Sequence, residues 1–341
     1  MMDDELFTQL QIPIIDIEGL RNGNSQAAQA VASQLGEACR EVGFFYIKNH
    51  GIADDLIQQT FDFSSQFFNL PLQEKLRYSM ERHSQCFRGY SPVLSELADG
   101  KRNSYELMEF SVDFAPDSME VAQKKPMHGP NIWPEIAGYR EAINAYIEEM
   151  NKLGFDLMRG IALSLDLDRD YFRHAFDDRS FWQFRTVNYP VSRDVDCMSG
   201  QMPELEQRMQ GIQVGDHNCG AHTDYGCLTI LLANSPGLQV LGKNNTWFDT
   251  PVIPGAYICN IGDMLQYWSR DAYIATKHRV VTGKSRISLP FFFQPNFHTL
   301  IKPVDTVKGL LGKEYPVIQY GPYAYRNYQG IYPACATYES S

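Results

Sequence analysis

The change of hydrophobic period near residue 165 constrains this chain more than any other feature. From Ile136 to about Leu165, the residues Tyr139, Ile143, Tyr146, Ile147, Met150, Leu153, Leu157, Ile161 and Leu165 recur at steps of three and four. That spacing predicts one long amphipathic helix, because residues three or four apart share a helix face. Beyond it the apolar residues come in short β-branched or aromatic segments at 181–189, 222–232, 238–241, 256–261, 278–282 and 286–293, separated by Gly, Pro, Asn and Asp. Such spacing predicts an antiparallel sandwich or barrel. Before the long helix, Ile12 to Ile17 reads as a short strand and residues 26–42 as a helix. Gly43 to Ile47 reads as a buried strand ending at Asn49-His50-Gly51, and Ala53 to about Asn69 as a second helix stopped by Pro71. Residues 84–135 are rich in Gly, Pro and Ser, with a strand expected only near Glu106 to Val112. There is no internal repeat and no linker. The expected architecture is mixed α/β but mainly β, with a helical N-terminal half buttressing a C-terminal β-sandwich.

Composition narrows the function. Hydrophobic residues at 44% of 341 supply a sizeable core. A formal charge of -11 argues against nucleic acid and anionic membrane surfaces, which demand a basic face. A small anionic substrate stays open, since one local arginine outweighs a diffuse field. The seven cysteines are scattered without a CxxC pair, which predicts reduced thiols and a reducing compartment. The opening MMDDELFTQL lacks the basic-then-apolar order of a signal peptide, and no apolar run approaches a membrane span. A cytoplasmic location is expected.

The chemistry concentrates in Gly220-Ala221-His222-Thr223-Asp224-Tyr225-Gly226. At strand spacing, residues two apart face the same way, so His222 and Asp224 can aim at one point. An imidazole with a carboxylate suits Fe(II), Mn(II) or Zn(II). Alone, an HxD in a chain with eight histidines is weak, and its plain reading is a surface turn beside a hydrogen-bonded histidine. Two further features raise it. Fifty-four residues beyond Asp224 (278 minus 224), His278 opens another strand, and that distance lets a later strand return beside the first. Two imidazoles and one carboxylate form a facial set that leaves three adjacent metal positions open. Then Arg286 and Ser288 share one strand face, where an arginine fork and a hydroxyl can grip a carboxylate through charge-assisted bonds of about 1.5–3 kcal/mol.

With these residues in this order, the chain resembles the isopenicillin-N-synthase-like branch of the Fe(II)- and 2-oxoglutarate-dependent oxygenases. Its N-terminal part matches through Ile12-Pro13-Ile14-Ile15-Asp16 and through Glu41 to Gly51. Gly129-Pro130-Asn131-Ile132-Trp133-Pro134 matches the linking part, and Asn260-Ile261-Gly262-Asp263 joins the HxD, the distal histidine and the RxS. The resemblance implies a double-stranded β-helix (jelly-roll) core with iron held by His222, Asp224 and His278. It implies that Arg286 and Ser288 bind the distal carboxylate of 2-oxoglutarate, joined by Tyr189 of Asn188-Tyr189-Pro190. The family asparagine two residues before that tyrosine is replaced by Val187, so Asn188 is not carried over. Three regions are implied within one structural unit: 1–135 as the N-terminal dioxygenase region, 136–310 as the jelly-roll with its supporting helix, and 311–341 as a tail. Cosubstrates would be 2-oxoglutarate and O2, with ascorbate a further candidate, and no catalytic residue is expected beyond the metal ligands.

The implied reaction is oxidation of an unactivated C–H bond of a small molecule by a monomer, of the kind found in secondary metabolism, releasing succinate and CO2. Hydroxylation leads, and desaturation and oxidative ring closure start from the same point. Two rivals are a same-family iron oxidase that does not consume 2-oxoglutarate, whose members keep the RxS pair, and a non-catalytic binding protein on this scaffold. A zinc hydrolase would need a general base that the motif lacks.

Other conspicuous residues receive plain readings. His50 is taken as structural, His217 as a polar loop residue and His298 as surface. Arg88, Arg102 and Arg185 are candidates for an anionic substrate, but each is more simply a surface or salt-bridged residue. Phe184, Phe291, Phe292 and Phe293 suit a dry site. The tyrosines at 320, 323, 325, 328, 332 and 338 are read as packing the tail on the sandwich, with a lid as the alternative.

Overall fold

A computed structural model describes residues 11–22, 25–83, 86–177 and 180–332. The first ten residues, Cys335 and Tyr338 lie outside them. Four helices dominate: α1 (Ser25–Glu41), α2 (Asp54–Phe68), α3 (Tyr139–Ser164) and α4 (Tyr320–Ile331). The apolar stripe read from the sequence is the buried face of α3, with Tyr146, Met150, Leu157 and Ile161 all in the core. Asp54 and Asp55 in the first turn of α2 oppose its dipole favourably.

Twelve strands build two facing sheets. They are β1 (Ile14–Asp16), β2 (Phe44–Lys48), β3 (Gly89–Ser91), β4 (Glu106–Ser111), β5 (Gln183–Tyr189), β6 (Cys219–His222), β7 (Leu228–Ala233), β8 (Leu238–Leu241), β9 (Trp247–Asp249), β10 (Tyr257–Ile261), β11 (His278–Val280) and β12 (Arg286–Phe293). The large sheet runs β1-β2-β10-β7-β12-β5-β4-β3 and the small one β9-β8-β11-β6. This is the jelly-roll, backed by helices.

Strand alternation explains why so many strand residues are buried on both faces. On the helix side, Phe45, Ile47, Ile230, Leu289, Phe291 and Phe184 join α3 in one core cluster. On the other side, Phe44, Tyr46, Val187 and Ile258 meet Leu238, Val240 and Val280 of the small sheet in a second cluster. Each such side chain taken out of water contributes about 1.5–3 kcal/mol. Between the sheets this apolar filling gives way to polar residues in one place, and the candidate site lies there.

Two readings change. The N-terminal region supplies four strands of the large sheet as well as helices, so it is part of the sandwich and not only its buttress. The segment 222–232 is two strands, not one. The chain leaves β6 at His222 and turns, because the carbonyls of Asp224, Gly226 and Cys227 are taken by the backbone N–H groups of Asp263, Met264 and Gly262 at 2.7, 3.0 and 2.9 Å. Those donors open a short helix, Asp263–Trp268, which uses the turn to satisfy its exposed N-terminus. Among the described residues there is no disulfide, and no helix is long and apolar enough to cross a membrane.

Candidate metal centre

β6 and β11 pair antiparallel with His278 directly opposite His222, and their ring centroids stand 4.4 Å apart. Asp224 lies just past the end of β6, and its Oδ1 is 3.7 Å from Nε2 of each histidine. One donor atom from each residue falls within 4.8 Å of the others. Among the described residues this is the one such cluster.

The groups behind the triad aim it. Nδ1 of His222 lies 2.8 Å from the Gly220 carbonyl, and Nδ1 of His278 lies 3.2 Å from the Thr276 carbonyl. A carbonyl only accepts, so each Nδ1 carries a proton and Nε2 is the nitrogen turned toward a metal, free at once in a neutral ring and after loss of its proton in an imidazolium. Asp224 is oriented in the same manner. Its Oδ2 accepts from Nδ2 of Asn260 at 2.7 Å and from the hydroxyl of Thr229, which leaves Oδ1 facing the imidazoles. Gly262 matters for space: a Cβ there would stand 2.2 Å from the Gly226 carbonyl oxygen and 2.8 Å from that of Asp224.

Burial works to raise the Asp224 carboxyl, but the two histidines, Asn260 and Thr229 hold it below its ordinary range. Burial and the facing His222 push His278 down to about 4. Burial also pulls His222 down, but Cys219, Asp224 and the Gly220 carbonyl outweigh it and hold that imidazolium up at about 10. Beyond the two Nδ1 protons, the metal-free site therefore carries one more, at Nε2 of His222. Two imidazoles and a carboxylate oxygen are the donor chemistry of ferrous iron and its neighbours.

Along β12 the residues alternate. Arg286, Ser288, Pro290 and Phe292 face the pocket, while Ile287, Leu289, Phe291 and Phe293 enter the helix-side core. Across the ladder Arg286 pairs with Tyr189, and its guanidinium sits 4.9 Å from that ring. Nε of Arg286 donates to the Ser235 carbonyl at 3.1 Å, but its Nη1 is buried without a hydrogen-bond partner. An unpaired N–H of a buried cation is costly, and a carboxylate with the Ser288 hydroxyl alongside would satisfy it. Burial keeps Tyr189 a neutral phenol.

Of the aromatic candidates, only Phe292 lines this pocket. Of the arginines, Arg102 forms a double hydrogen bond to Glu206, Arg88 donates to the carbonyls of Met127 and Gly129, and Arg185 lines the pocket. His50 lies in a polar surface cleft with Arg21 and Asp156, against Tyr257, away from the triad. His217 contacts Arg279 at 2.8 Å, and His298 is exposed. Tyr320, Tyr328 and Tyr332 are buried, so α4 packs on the sandwich. The hydroxyls of Tyr328 in α4 and Tyr332 just beyond it also reach Glu109, the ion-pair partner of Arg185. Sequence reasoning missed Thr229 as a support of Asp224, and Tyr105, Glu96 and Glu109 around Arg185. Only Thr229 carried a signal, as a polar residue inside an otherwise apolar strand; Glu96 and Tyr105 lie outside the strands and Glu109 in one of mixed polarity.

The chain is similar to known proteins over most of its length. Residues 12–136 match the family described as non-haem dioxygenase in morphine synthesis N-terminal, and residues 184–295 match the 2OG-Fe(II) oxygenase superfamily. A homoarginine-6-hydroxylase of Oryza sativa subsp. japonica is 37% identical, over 91% of this chain and 94% of its own. A 1-aminocyclopropane-1-carboxylate oxidase of Dictyostelium mucoroides is 32% identical, over 86% and 84%. The crystal structure of a full-length Neurospora crassa protein in complex with alpha-KG and 5-formyluracil superposes with a TM-score of 0.77 at 26% identity, covering 97% of this chain and 98% of that one.

Proposed function

Since this chain belongs to the 2OG-Fe(II) oxygenase superfamily, the 2-oxoglutarate-dependent non-haem iron dioxygenases, we propose that His222, Asp224 and His278 hold its iron and that Arg286, Ser288 and Tyr189 seat its 2-oxoglutarate. The observation that carries this reading is the pairing of a triad of freed metal-ligand atoms with a buried, unpartnered guanidinium nitrogen on the wall of one pocket. When bound, ferrous iron and 2-oxoglutarate supply an oxidant from dioxygen, with release of CO2 and succinate.

The chain's own residues position and exclude. Asn260 and Thr229 keep one carboxylate oxygen of Asp224 occupied, so a single oxygen is offered to the metal. Arg286 orients its ligand by charge and does not move protons. The apolar residues Leu231, Pro290 and Phe292 keep water from the reacting C–H bond. The outcome proposed is hydroxylation of a small molecule: one oxygen atom enters the C–H bond and the other enters succinate. Ascorbate is the proposed accompanying reductant. We further propose that regions 1–135, 136–310 and 311–341 act as one unit, as a cytoplasmic monomer that does not bind nucleic acid. The acidic balance of the chain and the sheet shared between its two halves support this.

The test is anaerobic titration with Fe(II) and then 2-oxoglutarate, watching for a visible metal-to-ligand charge-transfer band. Aerobic assays should then release one succinate per oxidised substrate. Turnover without succinate would transfer the chain to the oxidases that do not consume 2-oxoglutarate.

A further inference from the structure

The alternation that sets Tyr189 beside Arg286 at one end of β5 sets Arg185 on the same pocket wall at the other end. Its register partner is Glu109 on β4, with Nε of Arg185 3.1 Å from Oε2 of Glu109. Glu109 is itself braced by the hydroxyls of Tyr328 and Tyr332. The rings of Phe292, Tyr328 and Tyr332 lie 5.5, 5.9 and 5.8 Å from the guanidinium carbon. Arg185 is thus held in place by packing and charge, yet its Nε has no hydrogen-bond acceptor in good geometry.

The second acid is Glu96. Its Oε2 accepts from the hydroxyl of Tyr105 at 2.7 Å and stands 3.6 Å from Nη1 of Arg185, too long for a hydrogen bond. Its Oε1 is buried without a partner. A cation short of acceptors beside a carboxylate short of donors is a loose internal ion pair. A ligand bearing both charges can enter such a pair and satisfy both members, adding no net charge to the cluster of Arg185, Glu96 and Glu109. A purely anionic ligand would add a third carboxylate around one guanidinium and leave Glu96 without a donor, and a purely cationic one would leave Arg185 short of acceptors. Nearby Glu106 does not compete, since Lys75 meets it at 2.7 Å.

We propose that Arg185 and Glu96 are the recognition pair for the head group of a free amino acid, Arg185 taking its carboxylate and Glu96 its ammonium, so that its side chain extends toward His222, Asp224 and His278. Glu109 is a positioning residue that holds Arg185. This inference rests on the oxygenase reading above and names the substrate class of that site.

The experiment uses the anaerobic full-length enzyme loaded with Fe(II) and 2-oxoglutarate. It is titrated with a panel of L-α-amino acids that includes L-arginine, L-homoarginine and 1-aminocyclopropane-1-carboxylate. Each is compared with its decarboxylated amine and its Nα-acetyl derivative, following heat by calorimetry and the shift of the charge-transfer band. At least one amino acid should bind at least about tenfold more tightly than either derivative, the equivalent of one charge-assisted hydrogen bond. Glu96→Gln should abolish that preference over the amine-blocked form while its response to 2-oxoglutarate is retained, which reports an intact fold. A panel in which no amino acid binds, or in which amines or acetylated forms bind equally well, overturns the proposal. Absence of the charge-transfer band itself would instead overturn the oxygenase reading. Should Glu96→Gln fail to fold, the comparison of head groups on the wild-type enzyme still decides the matter.

Discussion

The two oxygens of the Asp224 carboxylate have different surroundings, and that difference leaves a single oxygen to offer a metal. Oδ2 is tied to Asn260 and Thr229, and Oδ1 faces both imidazoles. Asn260→Ala should therefore weaken Fe(II) affinity by about 10–100-fold without removing any proposed ligand. Competition with a chelator would measure it, and unchanged affinity would show that the carboxylate needs no support. Protonation is argued at the same scale. Between pH 6 and 8, above His278 at about 4 and below His222 at about 10, the metal-free site holds one proton that iron must displace. Apparent Fe(II) affinity should rise about tenfold per pH unit across that window, and one proton should be released per iron. Calorimetry in buffers of different ionisation enthalpy counts it, and a count of zero would contradict the role of His222. Arg286→Ala should raise the 2-oxoglutarate concentration for half-saturation by about 10–100-fold, since a charge-assisted bond is lost. The charge-transfer titration reads that shift directly.

At the scale of the element, β12 shows how one strand serves two purposes. Its alternate residues divide between the helix-side core and the pocket, so neighbours Phe291 and Phe292 have unrelated roles. Phe291→Ala should cost about 3–5 kcal/mol of stability through the cavity it leaves, with 2-oxoglutarate saturation unchanged in the molecules that remain folded. Phe292→Ala should shift the denaturation midpoint far less and raise substrate KM. If denaturation and kinetics show the two phenylalanines behaving alike, the assigned register of the strand is wrong. The motif Asn260 to Asp263 is similarly economical, because it supports Asp224, lets two backbones meet at Gly262 and starts a helix on the carbonyls of the HxD turn.

For the whole molecule, the large sheet takes strands from both ends of the chain. β2 lies between β1 and β10, and β4 lies between β3 and β5. A fragment beginning at residue 136 would lose four of those strands and expose the edges of β10 and β5 along with their apolar faces. It should not fold cooperatively. Far-UV circular dichroism with limited proteolysis checks this, and a stable, protease-resistant fragment would show that 136–310 is a self-sufficient domain. The C-terminal helix α4 is tied to the same sheet, since Tyr328 and, just past the helix, Tyr332 reach Glu109, and their rings stand 5.9 and 5.8 Å from the Arg185 guanidinium carbon.

By itself, the chain order determined the long helix and the β-rich half that follows, and it singled out His222, Asp224, His278, Arg286 and Ser288 as the candidate site. Hydrophobic period and motif spacing are properties of neighbours in sequence, and such properties can be read without coordinates. The helical stripe from Tyr139 onward and the alternation from Arg286 to Phe293 were both legible for that reason. Tertiary structure alone decided that Asp224 stands beyond the strand in a turn capped by Asp263, that Thr229 and Asn260 aim it, and that Phe292 and not Phe291 meets the pocket. It also decided that Arg185, which reads in sequence as an ordinary salt-bridged arginine, stands on the pocket wall 3.6 Å from Glu96. Each of these depends on the register between strands distant in the chain. Register is set by the packing of two sheets and a helix at once, a many-body outcome that no single segment encodes.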